Sequence, residues 1–330
     1  MKPIACAALL ALTGAGAVPE VEIAFEPGEG LRLRKSFVHA FDLELVEQEA
    51  RVLVDGEEQE LGDEESYGIA DEDRVVFVDE VLAVDDDARV TKLRRTFETI
   101  SSDATYTYGE EVEEVPGESA LEGLTVVFTW DPEEEAFDVE FDGEEGDEDL
   151  LEELEAPCDL AEFLPDGPVS EGDTWEVAVD AFARLSSPGG DLVILDEGET
   201  EADDEFGDEF DENLEGTITC EYEGEREVDG RKLAAILVQA ELRTSVEEEA
   251  DEEDFEGAEV EGTQTFTFEM SLEGVLLWDL AAGHAVSFEL VGDAELTIAT
   301  DQEMEADGTS LEMHSKQRFE GDLSVTVTFE

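Results

Sequence analysis

The chain has 330 residues, with 96 Asp and Glu against 17 Lys and Arg, a formal charge of -79 and a pI near 4.1. A polyanion of this density is repelled by phosphate, which excludes a nucleic-acid binder and a partner of anionic membranes. Three cysteines exclude a disulfide-stapled miniprotein, and 18 Phe, 3 Trp and 4 Tyr within a 41% hydrophobic composition exclude a wholly disordered acidic chain.

The first residues, MKPIACAALLALTGAGA, read as an export signal. Lys2 is a minimal positive region, Ile4 to Thr13 form a short apolar core, and Ala15-Gly16-Ala17 is an A-x-A site, so cleavage is expected before Val18. The apolar run is too short to span a bilayer. Cys6 lacks an apolar stretch upstream, which argues against a lipid-anchored cysteine. The processed chain would have 313 residues (330 − 17), a charge of -80 once Lys2 is lost, and a secreted or periplasmic location. No later stretch approaches 18 apolar residues, so no membrane span is expected. Cys158 and Cys220 would remain, either as two free thiols or as one disulfide.

Short alternating runs dominate the remainder of the chain, and alternation is the signature of half-buried strands. Val75 to Val78 leads to Val81 to Val84. Thr125 to Trp130 and Ala136 to Phe141 read as a hairpin with Phe137, Val139 and Phe141 on one face. Asp147 to Ala156 places Leu150, Leu151 and Leu154 at helical spacing behind an acidic first turn. Cys158 to Leu164 and Asp180 to Leu185 are further short helical candidates. Gly216 to Val228 and Arg231 to Thr244 flank Asp229-Gly230, a strong hairpin signal. Thr263 to Met270, Val275 to Leu280, His284 to Val291, Ala294 to Thr300, Ser310 to Phe319 and Leu323 to Phe329 are the later strands. Turns are expected at Ala281-Ala282-Gly283, Gly292-Asp293 and Glu320-Gly321-Asp322. The class is mainly β: large antiparallel meander sheets, as a curved sheet, a sandwich or an open half-barrel, with one or two short helices.

The expected organisation is a β-rich segment at 18–145, a short helical connection at 146–170 and a second β segment at 171–330. A single sheet built from both halves is the alternative. Acidic stretches at 142–149, 196–215 and 247–256 read as solvated loops.

Chemistry-bearing motifs are few. His39, His284 and His314 sit on separate strands with no second histidine at ligand spacing. There is no G-x-S-x-G elbow, P-loop or G-x-G-x-x-G, and Ser186-Ser187-Pro188-Gly189-Gly190 reads as a turn. Asp142 to Asp149 and Asp203 to Asp211 carry acids in the wrong register for an EF-hand. Weak, diffuse association of divalent cations with the carboxylates is expected, and no cofactor. Trp130-Asp131 and Trp278-Asp279 read as strand ends whose Asp opens a turn. Arg89, Lys92, Arg94 and Arg95 form a local basic cluster, read either as cross-strand partners of the chain's own acids or as an anion-binding or partner patch.

Three phrases together carry a resemblance. They are Thr91 to Phe97 with Ile100-Ser101, the run Pro168 to Val177 (PVSEGDTWEV), and Gly274 to Leu280 with Gly283 to Ser287. The chain resembles uncharacterised secreted or lipid-anchored β-rich proteins of environmental bacteria, in which a "PVxxGDxW" phrase precedes a C-terminal meander. The resemblance covers 85–300 and implies an exported protein with a large antiparallel sheet. It supplies no catalytic residues, and the acidic insertions depart from it.

The functional expectation is an exported, acidic, non-enzymatic binding or carrier-type envelope protein with a salt-tolerant surface. Its partner would be an apolar ligand or an envelope protein, and its groove would be lined by Phe266, Phe268, Leu276 and Phe288. Such a curved sheet with one greasy face resembles periplasmic lipoprotein carriers in architecture alone. The alternatives are a secreted hydrolase using paired acids and a structural or cation-buffering envelope protein. A hydrolase would need two buried acids converging in a cleft.

Overall fold

The computed structural model describes residues 20–59, 66–86, 88–143, 146–156, 158–196, 210, 213–249, 259–306 and 309–330. The candidate signal at 1–17 and most of the acidic stretches at 196–215 and 247–256 lie outside them.

Among the described residues, fourteen strands form one open, antiparallel sheet. They are β1 (Arg32–Val54), β2 (Glu57–Glu58), β3 (Tyr67–Val84), β4 (Val90–Tyr108), β5 (Glu111–Ser119), β6 (Thr125–Asp131), β7 (Ala136–Phe141), β8 (Thr174–Val177), β9 (Ile194–Asp196), β10 (Glu215–Val228), β11 (Arg231–Glu249), β12 (Glu259–Asp279), β13 (His284–Ala306) and β14 (Thr309–Phe329). The main order is β7-β6-β4-β3-β1-β14-β13-β12-β11-β10-β8, with β2 on β1, β5 on β4 and β9 on β5. The two β segments expected separately share this sheet, because β1 is zipped to β14 from Lys35↔Phe329 to Val54↔Leu311.

The long strands correct one reading of the sequence. Gly292-Asp293 and Glu320-Gly321-Asp322 do not turn the chain. Each lies inside a single strand, and so does Ser271 to Gly274. The three fall side by side: Leu272 faces Gly292, Ala294 faces Gly321, and Gly321 faces Leu43. A Cβ at Gly292 would meet the Ser271 carbonyl, and one at Gly321 the Asp42 carbonyl. Glycine inside a strand marks a bend or close backbone approach. Local turn chemistry therefore encodes a line of bending across four adjacent strands. Each of those strands runs 21 to 23 residues, roughly 70 Å at about 3.3 Å per residue.

Elsewhere local signals act as read. Asp229 (φ 51°) and Gly230 (φ 78°) make the β10–β11 turn, and β6 and β7 pair from Val126↔Phe141 to Asp131↔Ala136. The helix expected over Asp147–Ala156 is a single 3-10 turn, Glu148–Leu151, capped by the Asp147 carboxylate on the Asp149 amide. A second 3-10 turn spans Ala161–Phe163, and α1 spans Asp180–Ser186. Within the PVSEGDTWEV phrase, the Ser170 amide donates to the Asp173 carboxylate and Gly172 sits at φ 89°. The Gly172 amide donates to the Tyr222 carbonyl of β10, and Trp175 Nε1 donates to the Phe163 carbonyl. The phrase is a clip that ties the connection to the sheet.

Much of the core lies at one end of the strands. Phe37, Phe77, Phe97, Phe128, Leu276, Trp278 and Phe288 are sealed there, against Leu160 and Phe163 from the connection and Phe182 and Leu185 from α1. Residues before β1 close the same end: Trp278 Nε1 donates to the Ala24 carbonyl, Phe25 meets the Trp278 ring edge-on, and Val21 bridges to Val169.

Candidate functional site

The filled end contains a buried charge cluster. On β3 and β4, Asp79 and Arg95 are direct register partners. Arg95 Nε and Nη2 donate to the two Asp79 oxygens at 2.8 and 3.1 Å, and Lys35 Nζ adds a bond at 2.9 Å. The guanidinium lies 4.0 Å from the Phe77 ring centroid and 5.2 Å from that of Phe128, and Nη1 donates to the Glu155 carbonyl. Burial disfavours the Asp79 charge, yet Arg95 and Lys35 hold its carboxyl below the ordinary range. Cys158 lies 3.9 Å from Arg95 Nη2, and burial pushes its thiol up. Burial also raises the Asp159 carboxyl. This network pins β1, β3 and β4 to the connection, and it makes Arg95 a core residue.

Farther along the same face the packing opens around a cavity, beyond which Phe319 is again sealed, with Tyr67 edge-on to its ring. The cavity, of about 510 Å³, is lined from β4, β3, β1, β14, β13, β12 and β11, seven consecutive strands, so the sheet curls around it. Its walls include Phe41, Leu43, Ile69, Phe266, Phe268, Leu296 and Ile298, and α1 contributes Phe182 and Ser186. Phe210 closes part of it, with its ring centroid 5.9 Å from that of Phe268.

A few polar groups enter this apolar wall. His39 and Asp73 face one another across β1 and β3, which places their Cβ atoms about 5 Å apart. Burial lowers the His39 imidazole to about 4, despite the Leu185 and Ser186 carbonyls at the end of α1, so the ring is neutral at pH 7. Its Nε2 is sealed from water and has no hydrogen-bond partner among the described residues. Asp73 is raised to about 6 by burial first, then by the Asp71 carboxylate beside it. The hydroxyls of Thr244 and Ser186 are already spent as donors, on the Phe210 carbonyl and on the Phe182 and Ala183 carbonyls.

Of the four residues expected to line a groove, Phe266 and Phe268 lie on this cavity. Leu276 and Phe288 do not: both are fully sealed at the filled end, where Phe163 from the connection packs 5.2 Å from the Phe288 ring. All four alternate on one face, but the sequence does not tell how far along the strands the connection reaches. The basic cluster is divided in the same way. Arg95 is buried; Arg94 pairs with Glu80 and Asp142; Arg89 lies 5.5 Å over Trp130. Lys92 and Arg94 share the opposite face of β4 from Arg95, so the four residues do not form one surface patch. Sequence reasoning misses His39 and Asp73 as a pair, because the long stretch of chain between them hides a direct cross-strand contact. A histidine inside an alternating apolar run is the available signal.

The other candidates resolve simply. His284 Nδ1 meets the Ala285 carbonyl, and His314 pairs with Asp301. Asp131 and Asp279 accept amides of the turns just after them. Cys158 and Cys220 are both free, and burial pushes Cys220 up to about 12. Among the described residues, no group of three or more His, Cys, Asp or Glu is placed to hold a metal ion, and no helix is long and apolar enough to cross a membrane. On the outer face a trough of about 1010 Å³ runs along the line of bending, with Glu44, Glu241, Glu269, Asp293, Glu295 and Asp322 on its walls. Like charges face each other across strands there, as in Asp42↔Asp322 and Asp293↔Asp322, while Arg318 bridges Glu295 and Glu320. The chain matches no family model, no curated protein and no solved structure.

Proposed function

We propose that the protein is a non-enzymatic carrier that holds an apolar ligand beneath its curved sheet and works outside the cytoplasm. One observation supports this most: among the described residues, an apolar cavity of about 510 Å³ lies beside a tightly packed stretch of the same sheet face. That volume falls in the usual range for small-molecule sites. Phe266, Phe268, Leu296 and Ile298 stay half-buried, and a ligand tail would remove their remaining apolar surface from water at about 25 cal/mol per Å². The acidic outer rows fit a protein kept dispersed in a saline exterior, where salt shortens the reach of their repulsion.

The hydrolase reading has one point in its favour, the Asp71–Asp73 pair of carboxyls beside a neutral histidine. The carrier reading is tested with N-phenyl-1-naphthylamine, a neutral apolar fluorophore. Saturable binding with a blue shift is expected, and Ile298→Trp, which fills the cavity, should abolish it. Absence of saturable binding to the native chain overturns the reading.

A further inference from the structure

The cavity wall also carries information about the head of its ligand; this step rests on the carrier reading above. Among the described residues, Asp73 is the one Asp, Glu, Lys or Arg on the wall. Its register neighbours are His39 on β1, kept neutral, and Ser102 on β4. Asp71 brings a second carboxyl beside it and takes a hydrogen bond from Ser102. The adjacent cation on β3, Arg74, points to the opposite face and pairs with Glu72. Asp73 therefore stands half-buried on the wall, and no lysine or arginine among the described wall residues lies beside it. The wall hydroxyls of Thr244 and Ser186 direct their protons elsewhere, so toward the cavity they present lone pairs.

A wall carrying this carboxylate tolerates positive charge. It penalises an anion twice, by Coulomb repulsion and by leaving that anion's desolvation unanswered. We propose that the cavity binds an organic cation with an apolar tail, its ammonium head paired with the Asp73 carboxylate and its tail lying along Phe268 and Ile298.

The test is displacement of N-phenyl-1-naphthylamine at pH 8 in 1 M NaCl, where the Debye length of about 3 Å screens the anionic outer surface. The competitors are dodecylammonium, dodecanol and dodecanoate, each below its micelle threshold. The ammonium should compete at least about tenfold better than the alcohol, the size of a charge-assisted hydrogen bond, and dodecanoate should compete least. Asp73→Asn should bring the ammonium to the level of the alcohol while the fluorophore still binds, which shows the cavity intact. Glu241→Gln, in the outer trough, should leave the order unchanged. Dodecanoate competing as well as dodecylammonium on the native chain overturns the head-group inference whatever the variants do. So does an ammonium advantage that survives Asp73→Asn. Failure of the fluorophore itself to bind overturns the carrier reading along with it.

Discussion

Asp73 and Asp79 lie six residues apart on β3 and face the same side of the sheet, yet their surroundings make them opposites. Asp79 has a bidentate arginine, a lysine and 4% exposure, and its carboxyl is held below the ordinary range. Asp73 has a second carboxyl and a neutral imidazole for neighbours, and it is raised to about 6. The residue type is the same, and so are the strand and the face. The difference comes from the neighbouring strands: Asp79 meets Lys35 from β1 and Arg95 from β4, whereas Asp73 faces His39 on β1 and Ser102 on β4. At Asp79 charge is buried with its counter-charge. At Asp73 a carboxyl stands on an apolar wall without a lysine or arginine beside it among the described residues. The first holds the fold together, and the second has a place for something else.

The contrast is broken most directly at Asp79. Asp79→Asn leaves Arg95 and Lys35 buried without a counter-ion and should cost about 3–5 kcal/mol in denaturant unfolding. A loss below about 1 kcal/mol would mean that water reaches the pair and the end is not filled. Truncation at the two ends sharpens the difference. Phe288→Ala, in the sealed core, should cost about 3–5 kcal/mol, whereas Phe268→Ala, on the cavity wall, should cost roughly 1 kcal/mol because part of its surface is already wet. Equal costs would place Phe268 in a packed core.

The pH dependence separates the two titrating groups on the cavity wall. His39 is neutral when folded, with its value lowered to about 4 from 6.5. Its contribution is therefore fully present above pH 6.5 and is lost as pH falls toward 4, in all about 3–4 kcal/mol. Asp73 acts in the opposite sense. Its value is raised to about 6 from 3.8, so the folded state takes up a proton first and gains stability as pH falls from about 6 to about 4. Comparing unfolding free energies at pH 7 and pH 4.5, His39→Gln should lose less stability on acidification than the native chain, and Asp73→Asn should lose more. Identical slopes in all three proteins would mean that neither group changes environment on folding.

Much of the fold was legible from local pattern. Alternation placed β6, β7, β10 and β11 and put Phe266, Phe268, Leu276 and Phe288 on one face, and Asp229-Gly230 specified its hairpin. The same local logic misread Gly292-Asp293 and Glu320-Gly321-Asp322. A glycine beside an acid is compatible with a turn and with a bend inside a strand, and only the neighbouring strands choose between them. The cross-strand reading of the basic residues follows from short-range charge: Arg95 and Arg94 meet Asp79 and Glu80 directly.

Alternation and charge are properties of a few consecutive residues, and they suffice for the mainly β class, the polyanionic outer face and the identity of the inward side chains. Long-range pairing alone sets which part of that inward face is sealed and which lines the cavity, and brings His39 opposite Asp73. Those outcomes depend on register between distant strands and on where one connecting segment lies, and burial energy is set by what covers a residue rather than by the residue alone.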